Sequence, residues 1–294
     1  MNADERKADP RSITDSDSRI SLNKAAERLG LHYMTVYRYV RTGRLYATKA
    51  QGQWWVETCD VDELQAPVVD GDDAGDSPPA RANLVEPFTA RLLAGDAGGC
   101  WSIITDALAS GARPADVHLL LLQPALVTIG QRWADGLLPI SAEHQATATV
   151  HRLLGRLGPL FVHPGRRRGT VVLAMVAGDH HSMPSAMLAD LLTDRHLDVI
   201  DLGANTPSEA IIESAKRADD LRAIGVAATL DSLAPVLVET VRELRSALPE
   251  AHVVAGGPVA AMCSAQLEAY VDAVGTDALE SAELIAGVEH SVSS

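Results

Sequence analysis

The sequence predicts a multidomain chain of α and α/β class, and three observations carry that prediction. Its 294 residues are 47% hydrophobic and 22% charged, a length that as a prior suits about two domains with cores of ordinary size. Apolar residues recur at helical spacing from Leu84 to about Val162, then give way to short apolar runs alternating with amphipathic stretches. Charge is also unequally shared. Between Arg19 and Val56 seven basic residues (Arg19, Lys24, Arg28, Arg38, Arg41, Arg44, Lys49) face the single acid Glu27, although the whole chain carries a formal charge of -14. A small basic module joined to a large acidic body is the asymmetry expected when one end meets phosphates.

Residues 1–18 are polar, mixed in charge and without an apolar stretch, which predicts a disordered N-terminus and no signal peptide. No segment approaches the ~18 continuous apolar residues of a membrane helix, so no membrane partner is expected. Cys59, Cys100 and Cys263 are odd in number and lack metal-type spacing, which points to a reduced, cytoplasmic protein.

Residues 19–65 read as one compact unit. Ser21 is a good N-cap for a short helix whose apolar face is Leu22, Ala25, Ala26 and Leu29. Gly30 turns the chain, and a second helix runs from His32 to Val40 and stops before Gly43. Arg44-Leu45-Tyr46-Ala47, Lys49, a Gln51-Gly52 turn and Trp54-Trp55-Val56 then form a hairpin wing. Two short helices about a Gly turn fit the geometry in which the second helix enters the major groove of double-stranded DNA. Tyr33, Thr35, Tyr37, Arg38, Arg41, Arg44 and Lys49 are the candidate DNA contacts, whereas Val36, Tyr39 and Trp55 suit the module's core. The segment resembles the winged helix-turn-helix of the excisionase and MerR type.

Residues 66–83 are rich in Pro, Gly, Ala and Asp without periodicity and read as a flexible linker. Four helices fit residues 84–163, with interruptions at Gly95–Gly99, Gly111–Pro114 and Gly136–Pro139. In residues 168–290 five apolar runs (Thr170–Val176, Val199–Leu202, Ala223–Ala228, Val253–Ala255, Ala273–Val274) alternate with five amphipathic segments. That alternation predicts a five-stranded, parallel, Rossmann-like (flavodoxin-like) sheet.

Two motifs carry chemistry. Gly178-Asp179-His180-His181-Ser182-Met183-Pro184 follows the first strand of the α/β region, where open sheets place their ligands. There His181 could offer a ring nitrogen to a metal while Asp179 accepts its other N–H. On residues alone, solvent-facing or internally satisfied histidines are the commoner outcome. The second motif is Trp133, nine residues, then Glu143-His144, in the bundle.

The first motif resembles the Asp-x-His-x-x-Gly loop of cobalamin-binding domains, whose His is the lower cobalt ligand. The turn Asp201-Leu202-Gly203-Ala204-Asn205-Thr206-Pro207, the hydroxyl of Thr229 beside Ala228, and Gly256-Gly257 fall where that family lines its corrin and nucleotide tail. Here Pro184 replaces the motif's Gly and Ala228 its Ser. The second motif resembles the helical cap of light-responsive, adenosylcobalamin-dependent regulators of the MerR type, in which the Trp covers the adenosyl group and Glu-His flank it. Together the resemblances imply a cobalamin-binding, light-sensing transcriptional regulator rather than an enzyme. It would bind a DNA operator as a homo-oligomer, dimer or tetramer, with no catalytic residue. They imply His181 as cobalt ligand and Trp133, Glu143, His144, Asp179, Gly203, Thr206, Thr229, Gly256 and Gly257 as cofactor contacts. In relatives a His follows the Trp and captures cobalt after photolysis; here that position is Ala134. His144 or His151 takes over, or water stays on cobalt, or the signal is different. The alternatives are a corrinoid carrier for methyl transfer, or a regulator whose cap and α/β domains bind another small molecule or a second tetrapyrrole.

Overall fold

The computed structural model describes residues 19–29, 36, 39–40, 45–50, 53–65 and 84–288, in two compact units that divide between Ala82 and Asn83. In the first unit, strand β1 (Arg19–Ser21) leads directly into helix α1 (Leu22–Leu29). The Ser21 hydroxyl accepts from the Lys24 N–H at 3.3 Å, the expected N-cap bond. Strands β2 (Ala47–Ala50) and β3 (Gln53–Glu57) form the hairpin, with Thr48 opposite Trp55, and α2 (Thr58–Gln65) follows. β1 adds to the outer side of β3, so this unit's sheet has three antiparallel strands. A three-residue strand carries no periodicity, and nothing in the sequence announced it. Leu22, Ala25, Ala26, Val36, Leu45, Val56 and Val61 are buried as this unit's core, while Tyr39 and Trp55 are only half-buried.

The turn and second helix fall on residues 30–44, of which Val36, Tyr39 and Val40 are described, all three helical. Tyr33, Thr35, Tyr37, Arg38, Arg41 and Arg44 lie outside the described residues; Lys49 lies on β2. Arg19 pairs with Glu57 at 2.7 Å, and Arg28 makes two bonds to Asp62 at 2.8 and 3.0 Å. Among the described residues, Arg19 and Arg28 are therefore already matched by carboxylates.

The second unit begins with four bundle helices. They are α3 (Val85–Leu93), α4 (Ala97–Ala109), a third that runs from α5 (Pro114–Val117) through a π-helical turn (His118–Leu122) into α6 (Gln123–Ala134), and α7 (Ile140–Leu157). The three glycine interruptions end helices in one way. At Gly95, Gly111 and Gly136 φ is positive, at 68°, 87° and 72°. The next N–H reaches back five residues to a carbonyl (Asp96 to Arg91, Ala112 to Ala107, Leu137 to Arg132) at 2.8–3.0 Å. Such Schellman ends satisfy the orphan carbonyls of a last turn and need a residue without a Cβ penalty.

A 3₁₀ turn (Gly158–Phe161) joins the bundle to the α/β region. Strands β4 (Thr170–Met175), β5 (Asp198–Asp201), β6 (Leu221–Ala227), β7 (Val253–Gly256) and β8 (Ala273–Gly275) form a parallel sheet in the order β5-β4-β6-β7-β8. Helices α8 (Met183–Thr193) and α13 (Ala278–Ala286) lie on one face; α9 (Ser208–Arg217), α10 (Ala234–Ala247) and the short α11 (Gly257–Met262) and α12 (Ser264–Leu267) lie on the other. Because both faces are covered, the five successive β4 residues from Val171 to Met175 are all buried. Val171 and Leu173 join the core that runs on into the bundle through Leu122, Leu153 and Phe161, while Val172 and Ala174 join Ile224, Leu237 and Val259. The strand order reverses between β4 and β6, and the loops leaving those two strands border the crevice where doubly wound folds bind ligands.

Candidate functional site

The loop after β4 is built around one buried carboxylate. Asp179 has no solvent-accessible surface. Its Oδ2 accepts from the Thr229 N–H at 2.6 Å, and the Thr229 hydroxyl lies 2.9–3.0 Å from both its oxygens. Its Oδ1 accepts from the His181 backbone N–H at 3.1 Å and lies 2.7 Å from His181 Nδ1. A carboxylate only accepts, so the consistent assignment places the ring proton of neutral His181 on Nδ1 and leaves Nε2 as an open lone pair. The His181 side chain is 51% exposed, so that lone pair belongs to an accessible ring.

The electrostatics agree with the geometry. Burial pushes the Asp179 carboxyl up, but the hydrogen bonds from His181 and Thr229 outweigh it and hold the group below the ordinary carboxylate range. The Asp179 bond raises the His181 imidazole above its ordinary value; burial opposes this, and the Glu143 carboxylate adds a smaller attraction. Glu143, from the first turn of α7, is thus electrostatically linked to a loop of the α/β region. His151, two turns further along α7, lies 3.5 Å from the Ser182 hydroxyl.

The neighbouring turn is sewn to this loop. Asn205, at φ 51°, accepts from the Gly178 N–H at 2.7 Å and gives its own N–H to the Asp179 carbonyl at 2.7 Å. Gly203 (φ 73°) has open space where a Cβ would be, and Thr206 is buried with its N–H on the Met175 carbonyl. Gly256 ends β7 and Gly257 opens α11. At φ 87°, a Cβ on Gly257 would lie 2.7 Å from the Ala228 carbonyl oxygen, so only glycine fits there. Asp179, His181, Gly203, Thr206, Thr229, Gly256 and Gly257 are thus gathered at the carboxyl ends of β4–β7.

Two departures from the motif have structural reasons. Pro184 occupies the first turn of α8, where an N–H has no helical partner, so proline leaves the loop undistorted. Ala228 is buried and carries no hydroxyl, and Thr229 supplies it directly to Asp179 and His181. Trp133 lies in the last turn of α6, its carbonyl engaged by the Gly136 N–H at 2.9 Å, and is 48% exposed; Leu137 and Ile140, which follow in sequence, are exposed as well. His144 is mostly exposed with Nδ1 2.6 Å from Glu143 Oε2, and the other Glu143 oxygen accepts from Thr147 at 2.7 Å. Trp101, by contrast, is structural, lying 3.6 Å beneath the Arg156 guanidinium within the bundle. The sequence did not flag His118, the other fully buried ionisable group besides cysteine among the described residues. It sits in an apolar run that reads as ordinary helix.

The donor set suits a corrin: one oriented imidazole with an open Nε2, a carboxylate fixing its tautomer, and backbone bared by glycine at a sheet's carboxyl end. Comparison with known proteins decides the point. Residues 169–284 match a family model described as a B12 binding domain, and residues 84–157 match a second model so described. The chain carries two B12-binding domains. Monomethylamine corrinoid protein 1 of Methanosarcina mazei is 23% identical over 207 residues, covering 68% of this chain and 92% of that protein. Monomethylamine corrinoid protein 2 of the same organism is 24% identical over 203 residues, 66% and 90% of the two chains. The structure of the Methanosarcina barkeri monomethylamine corrinoid protein superposes with a TM-score of 0.59 at 16% identity, over 70% of this chain and 99% of that one. That likeness establishes the fold of the helical cap and the five-stranded B12-binding domain.

Proposed function

We propose that residues 84–288 hold a cobalamin, adenosylcobalamin by the motif in the helical domain, with His181 Nε2 on the lower face of cobalt. The single observation that carries this is the Asp179–His181–Thr229 cluster, which leaves one imidazole nitrogen open at the switch point of the sheet. Asp179 and Thr229 orient the ring and hold its Nδ1 proton. Gly203, Thr206, Gly256 and Gly257 would offer close backbone approach, and Trp133, Glu143 and His144 would contact the ligand from the helical domain. When bound, the group supplies a cobalt–carbon bond that light can break or an acceptor can consume.

We further propose that the whole chain is a DNA-binding transcriptional regulator and not itself an enzyme. Support comes from its extent: about two-thirds of this chain accounts for 90–92% of each corrinoid relative, leaving about a third over. A separate unit, whose described residues form a three-stranded sheet with helices and include much of the basic stretch 19–56, lies N-terminal in the sequence to the B12-binding domains. Several such units in one homo-oligomer would give multivalent affinity for an operator that one small module lacks. The second reading is a corrinoid carrier for methyl transfer, and the curated relatives favour it over the regulator. Two assays on the full chain separate them. A regulator loaded with adenosylcobalamin retards double-stranded DNA in darkness and changes that binding after green light. A carrier loaded with methylcobalamin passes its methyl group to a nucleophilic acceptor in the presence of a methyltransferase, leaving cob(I)alamin, and is indifferent to DNA.

A further inference from the structure

His118 meets the α/β region deep in the fold. It opens the π-helical turn of the third bundle helix and has no exposed surface. Its Nε2 lies 2.7 Å from Oδ2 of Asp190 on α8, and its ring packs against Phe161 with centroids 4.8 Å apart. Nδ1 has no hydrogen-bond partner. Asp190 accepts, so Nε2 carries the proton and Nδ1 stands as the orphan acceptor.

Three elements that border the cobalamin site converge on this imidazole. The helix carrying it continues into α6, whose last turn holds Trp133. Phe161 belongs to the turn that closes α7, the helix of Glu143 and His151. Asp190 is on α8, whose first turn follows directly from the His181 loop. A π turn adds a residue to the helical repeat, and one residue rotates everything beyond it by about 100°. Apolar side chains tolerate such slippage; a directional bond to one carboxylate does not. An apolar pair would fill the same space without desolvating an imidazole and an acid, so stability alone does not account for the choice.

We propose that His118 and Asp190 are a positioning pair that fixes the rotation of the Trp133-bearing helix relative to the His181 loop, and thereby sets cobalamin affinity. This rests on the reading that the His181 site takes cobalamin. The test is a spectral titration of the full chain with adenosylcobalamin in darkness, for wild type, His118→Phe, Asp190→Ala, Asp190→Asn and the double variant His118→Phe/Asp190→Ala. Losing the pair should weaken binding about tenfold, with the double variant no weaker than either single one. Asp190→Asn, which still offers a carbonyl oxygen to Nε2–H, should stay within about twofold of wild type. At saturation every variant should show the same lower-ligand spectrum, since His181 is untouched. Should His118→Phe not fold, Asp190→Ala against Asp190→Asn decides the question alone. A lowered Tm with unchanged affinity in Asp190→Ala would overturn the proposal and leave the pair purely structural. Failure of wild type to bind would overturn the cobalamin reading itself.

Discussion

At the scale of single residues, the site depends on what holds His181 rather than on His181 alone. Thr229 gives a backbone N–H and a hydroxyl to Asp179, and that carboxylate orients the ring. Outer partners of a metal-binding histidine are commonly worth about 10–100-fold in affinity. Thr229→Val should therefore weaken cobalamin retention by a factor in that range, with Thr229→Ser near wild type; dialysis of the loaded chain reads the difference. Pro184 is a contrasting case. It sits where the helix has no use for its N–H, so Pro184→Gly should leave the bound spectrum unchanged while lowering stability by about 0.5–1 kcal/mol in urea denaturation. A changed spectrum would mean that the proline shapes the ligand loop after all.

At the scale of elements, the parallel sheet and four-helix bundle were legible because both write themselves into periodicity, and glycines punctuated the helices where positive φ was needed. The order of site elements was legible too, since the loop after β4 and the turn after β5 carry polar residues at strand ends. Short α11 was missed, having little apolar period of its own, and it forms where Gly257 turns the chain against Ala228. The π turn was invisible because His118-Leu119-Leu120-Leu121-Leu122 satisfies an ordinary helix equally well. Gly257→Ala should cost about 1–3 kcal/mol, the strain of a non-glycine residue forced into that backbone region against a carbonyl. A second element-scale prediction concerns the lower end of the sheet. Burial would raise the Asp272 carboxyl, but the Val253 N–H and Arg245 hold it below its ordinary 3.8. A depressed folded value means stability that is present above the unfolded value and is lost as pH falls through the folded one. The stability gap between wild type and Asp272→Asn should thus be full at neutral pH and shrink as pH drops below 3.8. A gap constant down to that range would remove the ionic contribution.

At the scale of the whole molecule, the described residues fall into two compact units. None of the described helices is long and apolar enough to cross a membrane. In the first unit, Arg19 and Arg28 are matched by Glu57 and Asp62, so on the regulator reading these two are the poorer phosphate contacts. DNA retention by the full chain should then weaken steeply with salt, with a log–log slope of about −0.9 for each phosphate neutralised. Arg38→Ala should flatten that slope by about one contact. A full chain indifferent to DNA at low salt would favour the carrier reading and leave the B12-binding domains as they stand.

The most direct test of the central claim is electron paramagnetic resonance of the full chain, uniformly labelled with nitrogen-15, loaded with unlabelled cobalamin and reduced to the cobalt(II) state. A protein imidazole on cobalt splits each line into a doublet, because nitrogen-15 has spin one-half, whereas the cofactor's own nitrogen gives a triplet. The doublet is expected in wild type and is lost in His181→Ala. A triplet in wild type, or a doublet that survives in His181→Ala, would contradict the assignment of His181 as the lower ligand.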